Sequence, residues 1–138
     1  MENMEEIDYT NVEEARSIFM KDTFAMVTTG IDIEAVDKNY AKCSLTVDDR
    51  HKNAVGLVMG GAIYTLADFT FAVATNFKSS TTVTLVSQIS YLSGMKGSKL
   101  FAESHLIKDG RRNCFYEIHV SDDLGTSVAV VNITGAHL

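Results

Sequence analysis

The sequence predicts an α+β fold in which an antiparallel sheet of about six strands wraps around one long buried helix. Six runs alternate apolar and polar residues with a period of two, as half-buried strands do. One segment, residues 60–77, is apolar on nearly every side, which is typical of a buried helix. A second, amphipathic segment lies near the N-terminus and predicts a helix outside the sheet.

The N-terminal segment predicts a helix over residues 12–28. Thr10 and Asn11 each precede a glutamate by three residues, which is the spacing of a capping box. Apolar side chains then mark one side of the helix as far as Gly30, at Val12, Ala15, Phe19 and Met26. We divide the chain of 138 residues into an acidic tail, residues 1–11, and a single domain, residues 12–138.

A β-hairpin is predicted after Gly30. Alternation at residues 31–35 and 41–47 flanks a turn at residues 37–39. Four further strand-like runs lie at about 81–92, 98–108, 113–121 and 126–137. Short links rich in Gly, Ser and Asp separate them, so we expect consecutive strands to be antiparallel neighbours.

Charge and hydropathy exclude several classes of partner. The net charge is −6, but six of the 18 acidic residues lie within residues 1–14, and the other 12 balance the 12 basic residues. A near-neutral body lacks the basic field that nucleic-acid binding requires. No run approaches the ~18 apolar residues of a membrane span. We therefore expect neither nucleic acid nor a membrane as a partner. The acidic N-terminus is unlike a targeting peptide, which predicts a cytoplasmic protein.

Cysteine and histidine spacing gives no metal or redox motif. Cys43 and Cys114 lie 71 positions apart in alternating runs, where a thiol behaves as a small apolar core group. The four histidines are dispersed along the chain. We expect no bound metal and no separate cofactor.

Asp68 is the one ionisable residue in the apolar helix. Removing a carboxylate from water costs several kcal/mol unless partners or a function compensate. Either Asp68 bonds a nearby hydroxyl such as Thr65 or Thr70, or it lies on a solvated face, or it is a catalytic carboxylate. Spacing alone leaves these alternatives open.

Gly60 and Gly61 stand at the predicted start of the same helix. The first N–H groups of a helix have no partner within it and bind anions. Without Cβ atoms, the two glycines let a substrate carbonyl approach the backbone, where the helix dipole stabilises an oxyanion. The alternative is tight packing at the entry to the helix.

These motifs resemble the hot-dog-fold acyl-CoA thioesterases of the phenylacetic-acid-degradation type. The resemblance covers roughly residues 30–137 and rests on His51, Asn53, Gly56, Gly60-Gly61, Leu66-Ala67-Asp68 and Ile89-Ser90-Tyr91-Leu92. The chain departs from the family pattern at Met59, where a histidine is usual, and at Gly94-Met95, where a turn with proline is usual. The Met59 change bears on how the thioester is oriented.

The resemblance implies roles for individual residues. Asp68 would be the general base or the nucleophile, and the Gly60 N–H would hold the oxyanion. Asn53 would hold the water or the thioester, and Thr84 would place a hydroxyl beside Asp68. For Thr84, an ordinary place in a β-branched strand is the alternative. Met59 and Gly61 would contact substrate, and we expect His51 to be a solvated or locally bonded side chain outside the chemistry.

The spacing of Gly60 and Asp68 predicts a shared site. Eight residues of helix separate them, which is ~12 Å at ~1.5 Å per residue. One chain cannot bring both to one carbonyl, so we expect a symmetric homodimer. The resemblance implies the same, with dimers of dimers common, and the strand at 81–92 is the candidate joining edge.

A local excess of positive charge lies at residues 96–112, where five basic residues face two acidic ones. Arg111 and Arg112, with Lys96, Lys99 and Lys108, would suit the phosphates of coenzyme A, which enters here as part of the substrate. Ordinary solvated side chains near turns are the alternative.

The sequence thus predicts an enzyme that hydrolyses an acyl-CoA thioester, with water activated by Asp68 and the carbonyl held at the Gly60 amide. A non-catalytic acyl-CoA-binding hot-dog module is one alternative, suggested by Met59. A hot-dog hydratase or dehydratase is weaker, because that chemistry needs a histidine near the helix start.

Overall fold

The computed structural model describes residues 5–138, so the first four residues of the expected acidic tail lie outside the described residues. Two α-helices and six strands form the domain. The elements are α1 (Val12–Phe19), β1 (Asp32–Asp37), β2 (Tyr40–Thr46), α2 (Gly60–Asn76), β3 (Thr82–Tyr91), β4 (Lys99–Asp109), β5 (Asn113–Asp122) and β6 (Ser127–His137). The predicted α+β class and element order are therefore confirmed.

The six strands form one antiparallel sheet in the order β1-β2-β4-β5-β6-β3. Our expectation that consecutive strands are neighbours holds for β1 and β2 and for β4, β5 and β6. It is wrong for β3 and β4, because the link formed by residues 92–98 passes across β6 and β5 before β4 begins. As a result, β4 joins the hairpin through β2, while β3 pairs only with β6 and forms an edge of the sheet.

The predicted N-terminal helix is divided in two. Residues 12–19 form α1, and a separate π-helical segment spans Phe24–Thr29. Between them, the Asp22 carboxylate accepts a hydrogen bond from the Ala25 N–H at 3.1 Å. An aspartate that bonds nearby backbone competes with helix continuation, which accounts for the break. Gly30, at φ +86°, ends the second segment in a left-handed conformation.

Helix α2 fills the curve of the sheet and contacts all six strands. Its start at Gly60 agrees with the prediction, and its most buried side chains include Leu66 and Phe71. On β6, Gly135 permits the close approach of sheet and helix, since a Cβ there would lie 2.8 Å from both Phe71 Cζ and Cys114 Sγ. Helix α1 packs outside, where Phe19 meets Phe69 of α2 edge to face at 6.0 Å.

The thiols of Cys43 and Cys114 are buried and free, as expected of core residues. Burial raises the pKa of the Cys43 thiol to about 12, so this thiol stays protonated and is a poor nucleophile. Within residues 5–138, no helix is both long enough and apolar enough to cross a membrane.

Candidate functional site

Two clefts flank the start of α2. The Tyr91 cleft, of about 530 Å³, lies between residues 56–58 and 91–95, with Gly60 and Ile63 of α2 at its base. The Met59 cleft, of about 490 Å³, lies on the other side against the π-helical segment, and Gly61 and Thr65 line it. The two adjacent glycines therefore open into different clefts.

The backbone of Gly60 and Gly61 offers two free donors. Over residues 5–138, no backbone carbonyl accepts from either N–H group, and the residue before the helix, Met59, provides no side-chain cap. The Met59 carbonyl instead accepts from Ala62 and Ile63. Unpaired amides at the positive end of a helix of 17 residues form an anion-binding position.

Tyr91, at the end of β3, covers Gly60. Its hydroxyl donates a hydrogen bond of 2.8 Å to the Gly60 carbonyl oxygen. A Cβ on Gly60 would lie 2.8 Å from that hydroxyl oxygen, whereas a Cβ on Gly61 would meet nothing within 4 Å. Gly60 is thus required here for close approach, which is the packing explanation raised from the sequence, and it also lines the Tyr91 cleft.

Asn53 holds the loop that forms one wall of the Tyr91 cleft. Its side-chain oxygen accepts from the Val55 and Leu57 N–H groups, each at 3.1 Å. Its backbone N–H also donates to the Leu57 carbonyl at 2.7 Å. With its oxygen occupied in this way, Asn53 retains only its side-chain NH₂ group for a substrate or a water.

Met59 is 57% exposed and lines the cleft that bears its name. His51 lies beside it but is buried, and both ring nitrogens have partners. Nδ1 accepts from the Asp48 N–H at 3.0 Å, and Nε2 donates to the Thr29 carbonyl at 2.7 Å. The expectation that His51 is locally bonded is therefore confirmed, and the two bonds define its tautomer as the one with hydrogen on Nε2.

Asp68 lies half-buried on α2 without a hydrogen-bond donor among the described residues. The hydroxyls that could have bonded it are used elsewhere, since Thr65 donates to the Gly61 carbonyl and Thr70 to the Leu66 carbonyl. Burial, and then the charge of Asp22, raise the pKa of the Asp68 carboxyl above its ordinary value. A carboxylate that is poorly solvated and unpaired is suited to accept a proton.

The remaining predicted site residues lie elsewhere. Thr84 is exposed on the edge strand β3, at the bulge before Val86. Arg111 and Arg112 are exposed in the turn between β4 and β5. Lys99 begins β4 and Asp109 ends it, so ~30 Å of strand separates Lys96 and Lys99 from these arginines. The basic residues that are close in the sequence do not form one cluster in a single chain.

Three contacts of the site could not be assigned from the sequence. Tyr91 belonged to the family motif but gave no sign of its bond to Gly60. Asp22, whose charge acts on Asp68, belonged to a predicted continuous helix. Asp122 had the sequence signal of a turn residue only, yet it anchors the loop at residues 92–98.

The profile of the thioesterase superfamily matches residues 55–129, more than half of the chain and including the start of α2 and Asp68. The chain belongs to the thioesterase superfamily. Its fold is the hot-dog fold, and its class is that of a thioester hydrolase, as the sequence predicted. The catalytic roles of single residues do not follow from this membership.

Similar proteins in the superfamily include two curated relatives. The acyl-coenzyme A thioesterase PaaI of Escherichia coli is 28% identical over 119 residues, which cover 86% of this chain and 84% of PaaI. The solved structure of E. coli PaaI, from the phenylacetic acid degradation operon, has a TM-score of 0.84 at 22% identity and covers 92% and 93% of the two chains. A protein of Archaeoglobus fulgidus, provisionally named an esterase, is 30% identical over 98 residues, which cover 70% of this chain but only 64% of that protein.

A second similar solved structure, of a protein from Streptococcus mutans, was determined with acetyl CoA bound. It is 27% identical to this chain, has a TM-score of 0.74, and covers 78% of this chain and 88% of its own. The resemblance to the phenylacetic-acid-degradation type, first seen in the motifs around Gly60 and Asp68, is confirmed.

Proposed function

We propose that this protein hydrolyses an acyl-CoA thioester to the free acid and coenzyme A, with water activated by Asp68. The observation that carries the proposal is the free Gly60 amide at the positive end of α2, at the base of an apolar cleft. The acetyl CoA bound to the S. mutans structure and the name of E. coli PaaI support coenzyme A thioesters as the substrate class.

The reaction needs an oxyanion donor and a base at one carbonyl. The Gly60 N–H binds the thioester oxygen and stabilises the negative charge that develops on it. Asp68 accepts a proton from a water molecule, whose oxygen attacks the carbonyl carbon. When the tetrahedral intermediate collapses, the C–S bond breaks and the thiolate of coenzyme A takes up the proton from Asp68.

Gly60 and Asp68 act in this scheme from two different chains. Both lie on the continuous helix α2, where eight residues separate them by ~12 Å. The edge strand β3 is the surface through which we propose that a second copy binds. Its outward side chains Leu85 and Val86 are about 60% exposed, and its backbone has a partner on one side only.

Antiparallel pairing of two β3 strands also has a consequence for the arginines. The turn that holds Arg111 and Arg112 lies at the Thr82 end of β3, since the Arg112 carbonyl accepts from the His137 N–H and His137 pairs with Thr82. Gly60 lies at the opposite, Tyr91 end. Antiparallel pairing places the arginine end of one chain beside the Gly60 end of the other, where coenzyme A phosphates can reach it.

The proposal is tested by mixing the purified protein with a panel of acetyl-, hexanoyl-, benzoyl- and phenylacetyl-CoA and measuring thiol release. We expect turnover of at least one thioester by the parent and loss of most of that turnover in Asp68→Asn. Binding of these thioesters without thiol release would overturn the proposal and favour the alternative of a binding module.

A further inference from the structure

One wall of the Tyr91 cleft is a loop without a place in the sheet. Residues 92–98 join β3 to β4, and the Leu92 and Ser93 N–H groups share the Val128 carbonyl at its start. At its end, the Ser98 carbonyl accepts from Val47. Between these points, residues 94–97 form no hydrogen bond with another backbone group. Something other than the strand ladder must therefore hold Met95 in the cleft wall.

The carboxylate of Asp122, the last residue of β5, holds this loop. Asp122 is 4% exposed, and its Oδ2 accepts from the Lys96 N–H at 2.8 Å and the Gly97 N–H at 3.0 Å. Its Oδ1 accepts from the Leu124 and Thr126 N–H groups at 3.0 and 2.8 Å. One buried side chain therefore joins the loop of the cleft wall to the turn between β5 and β6.

Only a carboxylate satisfies four donors in this way. Burial by itself would raise the pKa of Asp122, but the N–H groups of Lys96, Thr126 and Gly97 hold it well below its ordinary value, so the group is charged. An asparagine offers one oxygen and one NH₂ group. If the asparagine oxygen keeps the bonds from the turn, its NH₂ group faces the N–H donors of Lys96 and Gly97. Two donors cannot bond each other, so the loop is released.

The opposite wall, at residues 56–58, is also held by a side-chain oxygen that accepts from main-chain N–H groups. There, the Asn53 oxygen accepts from the Val55 and Leu57 N–H groups. The two walls thus face each other, and a side-chain oxygen binds main-chain N–H groups in each. At the end of the 92–98 loop, Asp123 Oδ1 also accepts from the Ser98 and Lys99 N–H groups. Their facing side chains are mainly apolar, with Leu57 and Val58 on one side and Leu92 and Met95 on the other.

We infer that the Tyr91 cleft binds an apolar acyl group and that Asp122 is the positioning residue that sets the width of this cleft. The inference rests on the proposed function, because Gly60 at the base of the cleft is the group proposed to hold the thioester carbonyl. An acyl chain that extends from this carbonyl contacts Leu92 and Met95. An acetyl group is too short to contact the wall that carries Leu92 and Met95, so its hydrolysis does not depend on the position of that wall.

The test compares hexanoyl-CoA with acetyl-CoA as substrates of Asp122→Asn. We expect kcat/KM for hexanoyl-CoA to fall about tenfold, mainly through KM, while the value for acetyl-CoA stays within about twofold of the parent. Ile118→Val is the matched control, since it trims the buried core on β5 without touching the loop. A general loss of stability would lower kcat/KM for both thioesters in Ile118→Val and in Asp122→Asn alike. A change in the ratio of the hexanoyl-CoA value to the acetyl-CoA value is expected in Asp122→Asn and not in Ile118→Val.

Leu92→Trp provides a second variant if Asp122→Asn does not fold. Leu92 is 54% exposed, so a larger side chain there narrows the cleft without entering the core. We again expect a selective loss for hexanoyl-CoA of about tenfold. An unchanged hexanoyl-to-acetyl ratio in the folded variants would overturn the inference.

The proposed function fails separately, if the parent releases no thiol from any thioester. In that case calorimetric affinities of the same two thioesters for the parent and both variants replace the rates. Weaker binding of hexanoyl-CoA alone in the variants would support the acyl cleft, and an equal change for both thioesters would overturn it.

Discussion

The Tyr91 hydroxyl donates a hydrogen bond of 2.8 Å to the Gly60 carbonyl oxygen, and the tyrosine ring occupies the space that a Cβ on Gly60 would need. The contact joins the last residue of the edge strand β3 to the first residue of α2. It therefore fixes the helix start against the sheet at the point where the proposed oxyanion donor lies.

Gly60→Ala should lower stability, whereas Gly61→Ala should not. Alanine at position 60 displaces Tyr91, and overpacking of this kind lowers Tm by about 5–10 °C. Alanine at position 61 meets open space and favours the helix, so Tm stays equal or rises slightly. Thermal unfolding followed by circular dichroism measures both. In a Tyr91→Ala background the effect of Gly60→Ala should largely disappear, and persistence of the full effect would contradict the contact.

Asp68→Asn should retain the fold and lower kcat by ~10²–10⁴, the range for loss of a general base. Asparagine has nearly the same shape but cannot accept the proton from water. Thiol release under saturating acyl-CoA measures kcat, and size-exclusion chromatography verifies the assembly. A variant that hydrolysed thioesters within a few-fold of the parent rate would make Asp68 a structural residue.

The same substitution should stabilise the protein near neutral pH. The pKa of Asp68 is raised in the folded chain, so its contribution to stability is full below the ordinary carboxyl pKa and is lost as the pH rises through the raised value. Asp68→Asn avoids that loss, and its Tm should exceed that of the parent at pH 7. The difference should vanish near pH 3. A parent that is more stable than the variant at pH 7 would show that the carboxylate has a favourable partner in the assembled protein.

Arg111→Ala or Arg112→Ala should raise KM for coenzyme A thioesters about five- to tenfold with little change in kcat, because the contact with phosphate is the same in ground and transition states. Thioesters of N-acetylcysteamine lack these phosphates and serve as the control. Equal changes for both substrate types, or no change for either, would remove the phosphate role of this turn.

Two inactive variants should restore activity to each other if Gly60 and Asp68 of one site come from different chains. Gly60→Pro removes the proposed oxyanion N–H at the first helical position, where proline is tolerated, and Asp68→Asn removes the base. In a mixed dimer, made with two affinity tags, one site carries both defects and the other carries neither. Its activity should approach half that of the parent. Mixed dimers that are folded but no more active than either variant would place the whole site within one chain.

The fold could be predicted from the sequence because its signals are local. The apolar helix that starts at Gly60 and the period of two in the strands identified every main element. The break near Asp22 was missed because the apolar positions at Phe19 and Met26 continue across it. Strand order also escaped prediction, since nothing within residues 92–98 shows that they cross the sheet.

The candidate site divides in the same way. Gly60 and Asp68 could be selected because each is unusual for its position. Gly60 belongs to a flexible pair at a helix start, and Asp68 places a charge on an apolar face. The role of Asp122 in the cleft wall could not be predicted, because its partners in that loop are backbone N–H groups 25 and 26 positions away, which carry no residue-specific signal. Asn53 stays a predicted substrate contact through its NH₂ group, and the sequence did not show that its oxygen holds its own loop.

The anchoring of both cleft walls through backbone N–H groups has a consequence for divergence among relatives. An acceptor that recognises the main chain is indifferent to the side chain carried by Lys96, Val55 or Leu57, provided that none becomes proline. The side chains of the walls can therefore be replaced one at a time while the loops keep their path. Gly97 is the exception, since a Cβ there would lie 1.8 Å from Asp123 Oδ1. For the proposed acyl cleft, such a scaffold permits acyl preference to drift by single substitutions, with little penalty to folding.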